Sequence, residues 1–153
     1  MADVTIRTAT RSDFREWLVL WDAYNAFYGR SGPTALPAAV TQTTWDRFHD
    51  KREPMHALVA QAPDGRLIGL AHYLFHRSTT MLSETCYLQD LYTEEAFRGR
   101  GVARALIEAV CERARAAGST RVYWQTHESN RIARRLYDRV AELSGFLVYR
   151  RPL

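Results

Sequence analysis

The first part of the chain changes from a strand-like to a helical hydrophobic pattern. Residues 4–8 alternate apolar and polar side chains, which predicts a first strand. The next segment places apolar residues three or four positions apart and predicts a helix with an unusually aromatic face: Phe14, Trp17, Leu18, Trp21, Tyr24 and Tyr28. The glycines and prolines of residues 29–37 predict a loop, and residues 41–49 predict a short second helix.

Three strands are predicted in the middle of the chain. Residues 56–62 and 67–75 are separated by the sequence PDGR, which is typical of a hairpin turn. Residues 85–93 form the third strand of this group. A glycine-rich loop follows, and then a helical run that ends near residue 117, where Gly118 is a candidate for its C-terminal cap.

The last part of the chain contains three further elements. Residues 121–126 predict a strand, residues 130–140 predict a helix with one apolar face, and residues 145–150 predict a final strand. The complete order is strand, two helices, three strands, helix, strand, helix, strand. This order predicts one mixed α/β domain over residues 1–153.

Composition narrows the class of protein. The length of 153 residues and the apolar content of 46% suit one domain with a sizeable core. No segment resembles a membrane span or a signal peptide, so we expect a cytoplasmic protein with no membrane partner. Cys86 and Cys111 lie outside any CxxC or Cys/His spacing, which favours free thiols over a metal site.

The charge is positive and comes from arginine. The net charge is +4, and Lys51 is the only lysine. Arginine favours bidentate contacts with phosphate and carboxylate groups, so an anionic cofactor, nucleic acid and simple solubility all remain open. The arginines of the last two predicted helices are interleaved with Asp and Glu. Because this mixture is typical of solvated helix faces, we expect no nucleic-acid partner.

The loop FRGRGVAR, residues 97–104, has two glycines, three arginines and no acid. It lies between a predicted strand and a predicted helix, where unpaired amides and the helix dipole favour an anion. It lacks the GxxxxGK[ST] pattern of a P-loop, and Arg104 occupies the sixth position of GxGxxG, so neither motif is present. These residues alone leave both a phosphate site and a plain basic turn open.

Asn130 and Tyr137 are a second candidate pair. They lie seven residues apart, which places them on the same face of the predicted helix. Asn130 can cap that helix, and Tyr137 can be a core aromatic residue. A phenol beside a reacting centre can instead act as a general acid. The residues alone leave these alternatives open.

The two motifs together resemble the GNAT superfamily of N-acetyltransferases. The loop matches its acyl-CoA-binding motif Q/R-x-x-G-x-G/A at residues 98–103, and residues 130–137 match its N-x-x-A-x-x-L/F-Y element. The segments WDAYNAFYG, CYLQDLYT and YWQTHESNRIARRLYDRVAELSGF are similar to the subgroup of fungal histone, polyamine and D-amino-acid acetyltransferases and to the diamine acetyltransferases. The resemblance implies an α/β (α+β) domain whose twisted, mostly antiparallel sheet of six to seven strands is flanked by about four helices.

The resemblance implies acetyl-CoA as the cofactor. Leu91, Tyr92 and Thr93 are implied to pair with the pantetheine arm, which Asn130 also hydrogen-bonds. Tyr137 is implied to be catalytic and to protonate the leaving thiolate. The pyrophosphate is implied to lie on the loop and helix start, at Arg98, Gly99, Arg100, Gly101, Val102, Ala103 and Arg104.

The implied reaction is direct attack of a primary amine on the thioester in a ternary complex. We expect a small-molecule acceptor, namely a polyamine, a diamine or an amino acid; the alternatives are a protein or histone lysine or N-terminus, and an acyl-CoA-binding module without catalysis. The amine must lose a proton. Gln89 occupies the position of the glutamate of the diamine enzymes, which leaves Asp90 and Glu84 as candidate bases, with a proton path relayed by water as the alternative. We favour Asp90 as the catalytic residue and assign Glu84, Tyr24 and Tyr28 to substrate binding.

The resemblance also bears on assembly. The chain ends soon after its last predicted strand, where this fold usually has a further one. A sheet edge left open in this way is available to a second subunit, so we expect a homodimer.

Overall fold

A five-stranded sheet forms the centre of the protein in the computed structural model, which describes residues 3–153. The strands lie in chain order: β1 (Thr5–Thr8), β2 (Met55–Gln61), β3 (Leu67–His76), β4 (Thr85–Thr93) and β5 (Val122–Tyr123). The first four strands pair antiparallel. The last strand runs parallel to β4 and pairs with it at only two positions. The α/β class agrees with the sequence-based prediction.

In the described residues, four α-helices cover the two faces of this sheet: α1 (Phe14–Phe27), α2 (Ala38–Phe48), α3 (Val102–Ala116) and α4 (Arg131–Val140). On one face, the rings of Trp17 in α1 and Trp45 in α2 lie 4.7 Å apart and pack in a cluster with Leu70. On the other face, Leu106 and Val110 of α3 form a second cluster. Because both faces are covered, β2 and β3 are nearly continuous apolar runs.

The start of α3 lies directly against β3. A Cβ at Gly69 would lie 3.0 Å from the carbonyl oxygen of Tyr92 and 3.3 Å from the side chains of Val102 and Leu106. Glycine at this position therefore allows the helix to approach the sheet closely. This contact places the glycine-rich loop beside the end of β4.

Within residues 3–153 the sheet has five strands, so the expected count of six to seven is wrong. Residues 145–150, predicted as a final strand, pair with no strand in the described part of the chain, and the strand predicted over 121–126 is reduced to two residues. Residues 145–150 are exposed. This includes their apolar side chains, which are between 67% and 93% exposed: Phe146, Leu147, Val148 and Tyr149. High strand propensity alone does not form a strand when the single chain brings no sheet edge alongside it.

Membrane-spanning helices are absent from residues 3–153, since none of the helices there has both the length and the apolar character that a bilayer requires.

Candidate active site

An open cleft lies between α1, α2 and the middle of the sheet. Its volume is about 320 Å³. His72 of β3 and Asp90 of β4 line it beside Gln89, and Trp21 lines it from α1. The cleft is large enough for a small molecule, and a carboxylate lies in its wall.

A chain of buried hydrogen bonds holds that carboxylate. The indole Nε1 of Trp17 donates to Nε2 of His72 at 2.9 Å. On its other side, Nδ1 of His72 lies 2.9 Å from Oδ2 of Asp90, and the hydroxyl of Tyr24 donates to Oδ1 of Asp90 at 2.6 Å. Trp17, His72 and Tyr24 are 0%, 3% and 7% exposed, and Asp90 is 9% exposed.

The order of donors in this chain determines where the protons lie. An indole N–H can only donate, so Nε2 of His72 must accept from Trp17. The other ring nitrogen, Nδ1, therefore carries the hydrogen and donates a hydrogen bond to Asp90. The Asp90 carboxylate therefore accepts two hydrogen bonds from side chains that α1 and β3 hold in place.

Tyr24 keeps its proton in this arrangement. Burial, followed by the negative charge of Asp90, raises the pKa of Tyr24 far above its ordinary value. The hydroxyl therefore remains a hydrogen-bond donor to Asp90 over the whole physiological range of pH.

A β-bulge in β4 turns Asp90 toward this cleft. Asp90 pairs with His72 and Leu88 pairs with Tyr73, so Gln89 has no partner on β3. Cys86 and Leu88 face the cluster beneath α3, and regular alternation would place residue 90 on that same face. The extra residue reverses the alternation, and Asp90 points toward His72 and Tyr24 instead.

A narrow gap lies beside the cleft, where β4 and β5 separate. Their pairing ends at Tyr87 and Tyr123, and beyond this point the edge of β4 facing β5 has no strand partner among residues 3–153. The gap has a volume of about 20 Å³ and adjoins the cleft through Gln89, which lines both. Its other lining residues are Tyr24, Tyr28, Leu88, Leu91, Trp124, Gln125 and Tyr137.

Tyr137 presents a protonated phenol to this gap. Its ring packs edge-on against Trp124, with the ring centroids 5.4 Å apart. Burial, with a smaller contribution from Tyr28, raises the pKa of Tyr137 to about 12. At neutral pH the phenol is therefore almost entirely protonated and can donate a proton.

The predicted anion site lies at the start of α3. Gly99 and Gly101 have φ angles of +73° and +82°, in the left-handed region that favours glycine. The first intrahelical bond runs from the amide of Ala105 to the carbonyl of Gly101, which leaves the preceding amides of α3 without helical partners. The side chain of Val102 is buried in the core, so only its backbone amide is available.

The predicted arginines surround this helix start on the exposed surface. Nε of Arg98 donates to the carbonyl oxygen of Thr93 at 3.1 Å, which ties the loop to the end of β4. The guanidinium of Arg100 lies over the ring of Phe97, 5.3 Å from its centroid. Arg104 is exposed on the first turn of α3. The combination of free amides and cationic side chains suits a phosphate group.

The structure places the remaining predicted residues as follows. Leu91, Tyr92 and Thr93 lie on the part of β4 that is unpaired toward β5. Asn130 precedes α4, and its Nδ2 donates to Oγ1 of Thr126 at 3.2 Å, so its side chain does not cap the helix. Glu84 is exposed at the opposite end of β4 and lines neither cavity. The structure therefore does not bring Glu84 to the cleft.

Three residues of the site are missing from the sequence-based assignment. Trp17 and His72 position Asp90, and Arg30 lines the cleft. Trp17 on an aromatic helix face and His72 in an apolar strand have the patterns of ordinary core residues, and Arg30 lies in the loop after α1. The sequence could indicate this site only through the pairing of His72 with Asp90 on neighbouring strands. The bulge shifts that register by one residue, so regular pairing does not predict it.

Relatives of known activity identify the enzyme class of this protein. The chain is 36% identical over 149 residues to the D-amino-acid N-acetyltransferase HPA3 of Saccharomyces cerevisiae, covering 97% of this chain and 90% of that protein. It is 32% identical over 84 residues to the thialysine N-epsilon-acetyltransferase of Caenorhabditis elegans, covering 55% and 49% of the two chains. These relatives are N-acetyltransferases, and so is this protein.

Solved structures show the same fold. A ribosomal-protein-alanine N-acetyltransferase from Brucella melitensis biovar Abortus has a TM-score of 0.77 at 19% identity and covers 99% of this chain and 100% of its own. The structure of AAC(6')-Iy in complex with a bisubstrate analogue has a TM-score of 0.81 at 20% identity and covers 99% of both chains.

The family follows from the sequence match. Residues 17–141 match the Acetyltransferase (GNAT) family, and the chain belongs to that family. Its cofactor is acetyl-CoA, which supplies the acetyl group as a thioester. The residues present suit this donor: the α3 amides and the left-handed glycines can receive a pyrophosphate, and the unpaired β4 edge can receive an extended amide chain.

Proposed function

We propose that the protein acetylates a primary amine of a small molecule, a polyamine, a diamine or an amino acid, by direct attack in a ternary complex. One observation carries this proposal: the buried, doubly hydrogen-bonded carboxylate of Asp90 lies in a cleft that adjoins the gap containing Tyr137. The two relatives support a small acceptor, since their names specify a D-amino acid and thialysine.

Asp90 is suited to receive the proton of the amine. An aliphatic amine has a pKa of about 10 and is mostly protonated at neutral pH, so attack requires a proton acceptor. His72 and Tyr24 occupy one position on each carboxylate oxygen, and each oxygen retains further acceptor capacity. The amine proton passes to Asp90, directly or through one water.

Tyr137 is suited to the other end of the reaction. A C–N bond forms between the amine and the acetyl carbon, and the C–S bond breaks. The sulfur leaves with the electron pair and takes the phenolic proton of Tyr137, which is present because the pKa of the phenol is about 12. The second proton of the nitrogen, released as the C–N bond forms, returns through water to Tyr137 and restores the phenol, while Asp90 passes the first proton to solvent. Tyr24 and Tyr28 line the gap between the two groups and contact the acceptor in this proposal.

We assign acetyl-CoA binding to the helix start and to the free strand edge. The pyrophosphate is held by the amides and side chains of Arg98, Gly99, Arg100, Gly101, Val102, Ala103 and Arg104. The pantetheine arm pairs with Leu91, Tyr92 and Thr93 and is hydrogen-bonded by Asn130. The free α3 amides and the unpaired β4 edge support this assignment.

A thiol-release assay over a panel of amines tests the proposal. The panel contains spermidine, putrescine, amino acids and a lysine-containing peptide, and acetyl-CoA affinity is measured separately by calorimetry. We expect turnover with at least one small amine. Tyr137→Phe and Asp90→Asn should each lower kcat by about 100-fold with acetyl-CoA affinity retained, because proton transfer contributes on that order. Tyr87→Phe, at a tyrosine that lines neither the cleft nor the gap, is the control and should leave kcat unchanged.

The possible failures of this assay are distinct. Acetyl-CoA binding without turnover of any amine supports a non-catalytic module. Turnover of the peptide alone supports a protein acetyltransferase. Absence of acetyl-CoA binding contradicts the whole proposal.

We further propose that residues 1–153 act as one catalytic domain and assemble as a homodimer. The exposed apolar residues of segment 143–149, which we call the C-terminal segment, support this proposal because they lack cover within the single chain. We place the protein in the cytoplasm, which its two free cysteines support.

A further inference from the structure

The cleft beside Asp90 contains one further charged side chain. Among the described residues that line the cleft, Arg30 is the only Lys or Arg and Asp90 is the only Asp or Glu. They form no direct ion pair, since no Arg30 nitrogen lies within 4.0 Å of a carboxylate oxygen in residues 3–153. The cleft therefore holds one cation and one anion apart from each other.

Arg30 is held in place by α1. Its Nε donates to Oδ1 of Asn25 at 2.7 Å, and Asn25 is 4% exposed. Nδ2 of Asn25 donates in turn to the carbonyl oxygen of Trp21 at 2.9 Å. The guanidinium also lies 5.9 Å and 5.5 Å from the ring centroids of Tyr24 and Tyr28. These contacts orient the guanidinium before any ligand binds.

The end of the guanidinium remains available. Neither Nη1 nor Nη2 of Arg30 hydrogen-bonds to any residue within the described chain. These two nitrogens form the planar pair that binds a carboxylate through two parallel hydrogen bonds. An arginine with its Nε anchored and its terminal pair free in a substrate cleft is suited to recognise an anionic group on the substrate.

One wall of the cleft is apolar. Leu36, Val40, Phe48, Met55 and Leu74 line it from the loop before α2, from α2 itself and from the sheet. These side chains offer no further carboxylate for a second ammonium group. A polyamine would therefore meet one anion, one cation and an apolar wall, which is a poor electrostatic match.

We infer that the acceptor is an amino acid with an apolar side chain, and that Arg30 binds its carboxylate. The amine then lies beside Asp90, and the side chain contacts the apolar wall. This inference rests on the proposed function, since it assigns the acceptor of that same site. Arg30 makes the site favour an amine that bears a carboxylate over an amine of the same structure without the carboxylate.

Matched acceptors test the inference. Phenylalanine (both enantiomers), phenylalaninamide and phenethylamine share a side chain and an amine, but only phenylalanine has the carboxylate. We expect wild-type kcat/KM to favour one enantiomer of phenylalanine over phenethylamine and spermidine. Arg30→Gln should raise KM for phenylalanine by about 10- to 100-fold, because a charge-assisted hydrogen-bonded pair is lost. Its KM for phenethylamine should change less than about twofold.

Two controls accompany this comparison. Arg77→Gln replaces an exposed arginine outside the cleft and should leave both acceptors unaffected. Acetyl-CoA affinity and thermal unfolding are measured for Arg30→Gln: the affinity should match the wild type, and the variant should stay folded at the assay temperature despite losing its hydrogen bond to Asn25. Equal KM changes for phenylalanine and phenethylamine, or a preference for spermidine, overturn the inference while leaving the proposed function intact.

The inference is tested even if no amine is turned over, an outcome that contradicts the proposed function instead. Phenylalanine affinity is then measured by calorimetry with CoA present. Weaker binding to Arg30→Gln than to the wild type supports carboxylate recognition by Arg30, and equal or absent binding overturns it.

Discussion

The carboxylate of Asp13 connects β1 to the start of α1. It accepts hydrogen bonds from Nη1 and Nη2 of Arg7, at 2.8 Å and 2.9 Å, and from the amide of Thr10 at 2.7 Å. These bonds, with Arg7 making the largest contribution, lower the pKa of Asp13 to about 2 from its usual value of 3.8. The ionised form is thus stabilised in the folded state, and α1 in turn carries Trp17 and Tyr24 into the site.

Asp13→Asn should lower the free energy of unfolding at pH 6 by about 2 kcal/mol, the equivalent of the lowered pKa. A carboxyl whose folded-state pKa is depressed stabilises the protein above its unfolded-state pKa and loses this effect as pH falls. The difference between the two proteins should shrink to about half by pH 3. Urea unfolding at both pH values measures it.

The control for this prediction is Asp22→Asn, at an exposed position in α1. It should change the free energy of unfolding by about 0.5 kcal/mol or less at both pH values. A difference between Asp13→Asn and the wild type that stays constant from pH 6 to pH 3 contradicts the ion-pair explanation.

Individual site residues differ in how far the sequence predicts them. Asp90 is predicted from its place at the end of a strand beside the glycine loop, and it lies in the cleft. Glu84 is predicted from the same strand but lies about 20 Å away along it, at six residues of about 3.3 Å each. His72 and Arg30 are missed because each is identified by its partners in space, and a single sequence does not display those partners.

Strand β4 shows why alternation is an incomplete guide to the site. Regular alternation puts Cys86, Leu88 and Asp90 on one face, beneath α3. The structure inserts Gln89 as an unpaired residue and sends Asp90 to the opposite face. A bulge shifts the register of a strand by one residue, and no distinctive sequence pattern marks the bulge in β4. The orientation of the candidate base therefore follows from strand pairing rather than from local preference.

Helix α3 allows a direct test of the pyrophosphate assignment. Gly101, just before its first residue, has a φ of +82°. Gly101→Glu places a negative charge at the proposed anion site and should weaken acetyl-CoA binding by about 100-fold or more, equivalent to about 3 kcal/mol. It should also lower the free energy of unfolding by about 1 to 2 kcal/mol, since a side chain disfavours the left-handed region. Calorimetry and urea unfolding measure the two effects.

The same helix provides a matched control. Gly118 follows its C-terminal end with a φ of +83°, and a Cβ at this position would meet no other atom within 4 Å. Gly118→Glu therefore introduces the same charge and similar backbone strain far from the anion site. It should lose stability by a similar amount while keeping acetyl-CoA affinity. If both variants bind acetyl-CoA equally, the pyrophosphate lies elsewhere.

The order of elements through the whole molecule is predicted well, because it depends on local patterns. Hydrophobic periodicity and turn residues locate all four helices and the first five strands, with ends that differ by a few residues. The strand count fails at residues 145–150, whose sequence GFLVYR has strong strand propensity. Whether such a segment becomes a strand depends on whether the fold places it beside a sheet edge, and in the described residues it pairs with none, although β5 has an open edge.

The C-terminal segment connects this failure to assembly. Phe146 and Val148 are 89% and 67% exposed, while β5 pairs on one side only and leaves an edge of the sheet open. Apolar side chains on both faces of an extended segment are typical of a strand covered on both sides. Pairing with the sheet edge of a second copy would bury them, since exchange of identical segments is a common route to dimers.

We predict that light scattering at micromolar concentration gives a mass of twice 17.6 kDa for the intact chain. Phe146→Glu should weaken the dimer by about 30-fold or more, because it places a charge among buried apolar side chains. Leu82→Glu, at a leucine that is fully exposed outside the C-terminal segment, should leave the mass unchanged. A monomeric wild type contradicts the homodimer. A dimer that tolerates Phe146→Glu contradicts the assignment of the C-terminal segment to the interface and places the interface on another surface.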